Sequence, residues 1–321
     1  MPVPDFKVYL APMEGLADAP LRKILCAHGN YDECFSEFIR VTDLVLSEKT
    51  LYRIVPELEN GCKTADGTSV RVQLLGDNPD ILAKSACVIE KAGAQAIDMN
   101  FGCPSRFVHH AGSMLLQEPS LMHDIVKAMR DALDPKTKLS VKIRAGFADK
   151  KEAPNLIKAI AIDGVDEIIM HCRTRRDLYR KEALDWSVMK DLHSLCPNIT
   201  LVANGDIVSH KTALTCHELT GCSTLMCGRG AFLHPNLGDV IKNNAVPYDD
   251  VKVLEVMLEV MNEFVRLERP DKTVMDRAKQ FLGYARQAHP NLAEFFKGFC
   301  RIKESSEGFY TVESEIKRIG G

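Results

Sequence analysis

Short apolar runs rich in β-branched residues recur along most of this chain, and amphipathic stretches fill the intervals. Runs at 8–12, 33–38, 69–75, 96–100, 139–144, 167–172, 200–203 and 224–227 read as eight strands. Several are apolar at nearly every position, as parallel strands covered on both faces should be. Between them, 79–92, 121–133, 155–162 and 211–219 have the spacing of helices. Strand–helix alternation over this length predicts an α/β fold, a (β/α)8 TIM barrel. A doubly wound sheet would ordinarily carry a glycine-rich turn after its first strand, and Met13-Glu14-Gly15-Leu16 is not one.

Past residue 245 the strand pattern stops. Val253, Leu254, Met257, Leu258, Met261 and Val265 fall on one helical face within 249–269. Similar patterns at 273–288 and 292–303 predict further helices, and 311–319 predicts a short last one. The chain therefore divides into a barrel domain, 1–245, and a C-terminal helical bundle, 246–321. No internal repeat or low-complexity tract interrupts either part.

Composition narrows the class. There is no run of about 18 apolar residues, so no membrane span is expected. The N-terminal residues lack the basic-then-apolar order of a signal peptide. The eleven cysteines include no C-x-x-C pair, which argues against a zinc ribbon, an iron–sulfur cluster or another bound metal. Reduced thiols, a cytoplasmic location and a monomer are expected. The net charge of −3 gives no overall sign of nucleic-acid binding. From Arg266 to Lys303, however, nine Lys/Arg stand against four Asp/Glu. That excess is either a solvated helical face or a footprint for a phosphate backbone.

In a barrel the chemistry sits at the C-terminal strand ends, and phosphates bind after the last two strands. The first strand ends in Ala11-Pro12-Met13-Glu14-Gly15, and Gln73 lies in the third. The fourth runs into Asn100-Phe101-Gly102-Cys103-Pro104-Ser105, which puts a thiol where strand gives way to loop. Gly102 permits close approach of a ligand there, and Pro104 ends the strand. Lys142 and Arg144 share the fifth strand, His171 ends the sixth, Asn204-Gly205-Asp206 the seventh and Gly228-Arg229-Gly230 the eighth. Each has a plain alternative: a buried hydrophobe for Cys103, a backbone-satisfying amide for Gln73, a core imidazole for His171, turns for the glycines. Together they suit a flat anionic ligand such as FMN. Its phosphate would lie on Gly205, Gly228 and Arg229, and its ring edge would meet Gln73 and Lys142.

With these blocks in view, the chain resembles the tRNA-dihydrouridine synthases. The matching segments add Val70-Arg71-Val72-Gln73-Leu74-Leu75-Gly76, Val141-Lys142-Ile143-Arg144 and His171-Cys172-Arg173-Thr174 to those above, in the family's order. Segments Glu37-Phe38-Ile39-Arg40-Val41-Thr42-Asp43 and Arg53-Ile54-Val55-Pro56-Glu57-Leu58 look most like the bacterial C subfamily, which acts on uridine 16 of the D-loop. The resemblance implies FMN as cofactor, NADPH as reductant and a helical domain that holds tRNA. It implies that Pro12, Met13, Glu14, Gln73, Lys142, His171, Asn204, Gly205, Asp206, Gly228 and Arg229 line the flavin. Cys103 would be the acid that protonates C5 of uracil after hydride reaches C6, and Asn100 and Tyr179 would contact the base. A thiol of ordinary pKa, about 8.5, is protonated at neutral pH as such an acid must be. Arg277, Lys279 and Arg286 of the basic stretch are expected to contact tRNA.

Some positions depart from the family's pattern. Arg106 stands where Lys is common, the loop from His109 to Met114 has fewer glycines than usual, and Cys172 replaces a common Gly. Two other functions remain open on the residues alone: a flavin barrel acting on a small pyrimidine, and an RNA-binding protein without chemistry.

Overall fold

The computed structural model describes residues 4–105 and 110–320. Arg106 and His109 lie outside the described residues. The strands are β1 (Lys7–Leu10), β2 (Glu33–Phe35), β3 (Ile39–Arg40), β4 (Ser69–Leu75), β5 (Ala96–Phe101), β6 (Lys138–Arg144), β7 (Glu167–His171), β8 (Thr200–Asn204) and β9 (Thr224–Cys227). Every pairing between them is parallel, and β1 closes on β9 to complete a barrel.

The barrel has the eight staves expected, but the second is broken. β2 and β3 both pair with β4, at Glu33↔Ser69 and Ile39↔Leu74. The expected single strand 33–38 is interrupted because Ser36 Oγ, not a backbone carbonyl, accepts from Gln73 N (3.0 Å). The ladder is satisfied by a side chain, the backbone swings out, and Phe38 turns toward the mouth of the barrel.

Inside the barrel, Tyr9, Phe35, Ile169, Val202 and Met226 form a packed layer. Toward the N-terminal end, Arg71 lies buried on Phe35, its guanidinium 4.9 Å from the ring centroid. Arg71 Nη1 donates to Glu167 Oε2 (2.7 Å) and its Nε to Glu33 Oε2 (3.0 Å), while Tyr9 donates to Glu167 Oε1 (2.9 Å). The charges are paired and hydrogen-bonded, which is what makes their burial tolerable. They fill the N-terminal end of the barrel interior and leave the C-terminal face to a cavity.

The C-terminal region consists of helices Asp250–Arg266, Asp271–Ala285, Leu292–Phe299 and Ser305–Gly320. The last is sixteen residues long, not the short helix expected. Gly308 lies in the added N-terminal part of this helix, where glycine is ordinarily unfavourable. In the structure a Cβ there would lie 2.6 Å from Met275 Sδ, so the glycine permits close helix crossing. No helix among the described residues is long and apolar enough to cross a membrane.

Candidate active site

A cavity of about 540 Å³ opens at the C-terminal ends of the strands, within the range of small-ligand sites. It is lined by Pro12, Met13 and Glu14 after β1, Asn100 and Cys103 at β5, Lys142 in β6, His171 and Tyr179 at and after β7, Asn204, Gly205 and Asp206 at β8, and Gly228 and Arg229 after β9. Twelve residues far apart in sequence thus meet where the strand-end reading put them, joined by Tyr179, which the family resemblance implies.

Cys103 sits on a tightly specified turn. Asn100 Oδ1 accepts from Gly102 N (2.8 Å) and Cys103 N (2.6 Å). Ser113 donates to the Cys103 carbonyl from both its backbone N (3.0 Å) and its Oγ (2.8 Å). Gly112, at φ +58°, lies so close that a Cβ would stand 2.8 Å from that carbonyl. Burial pushes the Cys103 thiol above its ordinary value, and Glu14 adds to this. The Ser105 backbone N–H, Arg144 and Lys142 oppose without reversing the shift, so the thiol is protonated at neutral pH.

Gln73 lies behind this turn and does not line the cavity. Its Nε2 donates to Asp98 Oδ2 (2.7 Å) and its Oε1 accepts from Asn100 Nδ2 (2.7 Å). These bonds join Gln73, Asn100 and Asp98 into a scaffold that aims Cys103. Asn100 also lines the cavity, and each of the two amide nitrogens has a second N–H beyond the bond it makes here. Sequence spacing did not reveal the scaffold, because the partner Asp98 reads as part of an apolar strand.

The flank of the cavity that runs from β6 to the turn after β9 is cationic. Lys142 Nζ donates to Asn204 Oδ1 (3.2 Å), and Asn204 Nδ2 donates to Met226 O (2.8 Å), which fixes that amide's orientation. Burial and the nearby Arg144 push Lys142 below the usual lysine range, with Asp98 pulling the other way. Burial, then Arg144, Lys142, Arg173 and Arg229, hold His171 well below its ordinary value, so it is neutral. Asp206 is pulled down despite its burial because Arg173 and Arg229 both bind it. Gly205 has φ +136° and Asp206 φ +47°, a bend that the chain's single Trp, at 186, holds through Nε1 to Gly205 O (3.1 Å). A Cβ on Gly205 would meet Leu184 at 2.6 Å, and one on Gly228 would meet Met13 Sδ at 3.4 Å. The cavity has a protonated thiol after β5, a partly desolvated lysine on the neighbouring β6, an arginine after β9, and glycine-bearing backbone after β8 and β9. Those features fit the phosphate and polar ring edge of FMN.

Two contributors, Phe38 and Tyr284, were not singled out in advance, and Arg144 was named on the fifth strand without a role. Arg144 ties the loops after β5 and β7 together: its Nε donates to Gly102 O (2.7 Å) and its Nη1 to Thr174 O (3.0 Å) and Leu178 O (2.9 Å). Phe38 reaches the lining through the break in the second stave, and Tyr284 reaches it from the C-terminal helices. The alternating strand pattern held a signal for Arg144, which shares the β6 face with Lys142. None existed for Tyr284, whose approach is purely tertiary. Tyr179, 51% exposed at the mouth, lies between the guanidiniums of Arg144 (5.2 Å) and Arg229 (4.9 Å).

The cations expected to meet RNA stand outside the cavity and are engaged within the chain. Arg277 donates through Nη1 to Gly15 O and through Nη2 to Asp18 Oδ2 (2.6 Å). Lys279 Nζ donates to Ile302 O (2.5 Å), and Arg286 lies over the Phe296 ring at 4.3 Å.

A family model described as dihydrouridine synthase matches residues 9–317. A tRNA-dihydrouridine(16) synthase of Haemophilus ducreyi is 38% identical over 318 residues, covering 98% of this chain and 96% of that protein. The tRNA-dihydrouridine(16) synthase of Escherichia coli K12 is 37% identical over 298 residues, covering 91% and 92%. Among solved structures, a DHODH from Eimeria tenella superposes with a TM-score of 0.51 at 14% identity over 82% of this chain and 85% of that one. Histamine dehydrogenase from Rhizobium sp. 4-9 gives a TM-score of 0.57 at 12% identity over 80% and 49%. These last two likenesses are of fold alone.

Proposed function

Because the chain belongs to the dihydrouridine synthase family, we propose that it reduces uridine 16 in the D-loop of tRNA to 5,6-dihydrouridine, with FMN as cofactor and NADPH as reductant. Relatives named for that position, similar over nearly their whole length, support the choice of uridine. The observation that carries the chemistry is Cys103, a protonated thiol fixed at the rim of a cationic cavity. Bound in that cavity and reduced by NADPH, FMN would supply a hydride to C6 of the uracil ring. Cys103 gives its Sγ proton to C5, and the carbon–carbon double bond is saturated. Lys142, His171, Asn204, Asp206 and Arg229 hold the cofactor, with Gly205 and Gly228 leaving room for it beside Pro12, Met13 and Glu14. Gln73 and Asn100 keep the thiol in register. The base must leave its stack to reach Cys103, which costs least in a loop, and the half-exposed Tyr179 at the mouth stands where it would meet the base.

The segment 246–321 is the part we assign to tRNA. Lys279 binds the Ile302 carbonyl and so brings Arg301 and Lys303, both exposed, to its side. Such a patch serves a phosphate backbone and has no use for a free pyrimidine.

An unmodified tRNA transcript incubated with the purified chain and NADPH should gain dihydrouridine at position 16. Cys103→Ala should keep its flavin and oxidise NADPH normally, while dihydrouridine formation falls about 100-fold or more. Normal turnover by that variant would overturn the acid assignment. Reduction at another uridine would overturn the choice of position.

A further inference from the structure

We propose that Arg173, which touches neither cavity nor surface, is a positioning residue that fixes the tautomer of His171 and the direction of Arg229. The backbone sets this up. Arg173 N donates to the His171 carbonyl two residues earlier (2.7 Å), a tight turn that folds the Arg173 side chain back beside the imidazole. Arg173 Nη1 lies 3.4 Å from His171 Nε2. A guanidinium has only donors, so Nε2 must be the acceptor. A neutral imidazole then carries its proton on Nδ1. The Nε2 edge is turned to Arg173 and to Gly205, where a Cβ would lie 3.7 Å from Nε2. The ring lines the cavity, and among the described residues Nδ1 has no hydrogen-bond partner. His171 is thus a fixed N–H donor offered to a ligand.

The rest of the fork reaches the other end of the site. Arg173 Nε donates to Arg180 O (2.7 Å), and Nη2 binds Asp206 Oδ2. Asp206 Oδ1 in turn accepts from Arg229 Nη2 (2.9 Å). One fully buried side chain therefore links the histidine to the arginine assigned to phosphate. The groups facing His171 are Lys142 and Arg144 from β6, Arg173 and Tyr179 from the loop after β7, and Arg229 from the turn after β9. The cations all disfavour an imidazolium, so the tautomer persists across neutral pH.

This inference rests on reading the cavity as the flavin site, and the experiment separates the two. In flavin-free protein labelled with 15N-histidine, His171 is assigned by comparison with His171→Gln. Its Nε2 should show the shift of an unprotonated nitrogen, and Nδ1 that of a protonated one, between about pH 6 and 8. Arg173→Gln should release the constraint: both tautomers appear, the ring titrates nearer pH 6.5, and FMN binds about tenfold more weakly. Arg173→Lys keeps the charge and one donor, and should keep the native tautomer while losing part of the affinity. An Nε2-protonated or charged His171 in the unaltered protein overturns the inference, whether or not the glutamine variant folds. So does a lysine or glutamine variant that matches the parent in both tautomer and FMN affinity. Failure of the unaltered protein to bind FMN would instead overturn the flavin reading.

Discussion

The Asn100 amide is anchored at both ends: its oxygen serves two backbone N–H groups of the cysteine turn, and one N–H of its nitrogen serves Gln73. Asn100→Asp keeps the acceptor and the shape but sets an oxygen against Gln73 Oε1. A buried hydrogen bond becomes a repulsion, which should cost about 1–3 kcal/mol of stability. Dihydrouridine formation should fall further than stability alone explains, because the turn that aims the thiol loses its anchor. Denaturant unfolding and turnover on tRNA at saturating NADPH check the two effects; a variant with native turnover would refute the scaffold role. The residue scale also shows what a sequence reveals. Cys103, Lys142 and His171 are visible because strand-end chemistry has few other uses for them. The destination of Gln73 is not visible, since an amide next to a cavity and an amide behind it look alike until Asp98 is known to face it.

At the scale of elements, the eight strand runs and most helices follow from period and composition, with ends displaced by one or two residues in the barrel and by up to four in the C-terminal helices. The broken stave and the long last helix do not, because each turns on a contact between distant segments: Ser36 with Gln73, Gly308 with Met275. The same holds for helix Asp271–Ala285, whose cations look like an RNA face in one dimension. In three, Arg277 and Gln280 both donate to the carbonyl of Gly15 (Gln280 Nε2 at 3.0 Å), while Gly15 N donates to Glu37 Oε1 (2.6 Å). The turn that carries Met13 and Glu14 into the cavity is therefore clasped from both sides. Replacing Arg277 with Met and Gln280 with Leu should strand that carbonyl and free the turn. FMN affinity is expected to drop about tenfold, with dissociation rather than association changed, as a fluorescence titration and a dilution experiment would show. Undiminished flavin retention in the double variant would return Arg277 to the RNA surface.

The whole molecule depends on how the C-terminal helices hold the barrel, and one carboxylate there should leave a signature in acid. Glu263, buried on helix Asp250–Arg266, accepts from Lys23 of the barrel helix Ala19–Gly29 (2.7 Å) and from Arg266 (3.0 and 2.7 Å). The Arg266 hydrogen bonds, against some cost of burial and with help from Lys23, draw its pKa from 4.5 down to about 2. The folded state thus favours the charged form. Its contribution is complete above the unfolded value near 4.5 and disappears as pH falls through the folded value near 2. Glu263→Gln should therefore be about 1–3 kcal/mol less stable than the parent at neutral pH. The gap should narrow steadily below about pH 4.5 and close only below about pH 2, where the parent's carboxyl becomes neutral too. Other carboxylates protonate over the same range in both proteins and cancel in the difference. A gap that stays constant with pH would mean that Glu263 acts through packing, and that the tie between helices and barrel lies with Arg277 and the apolar core instead.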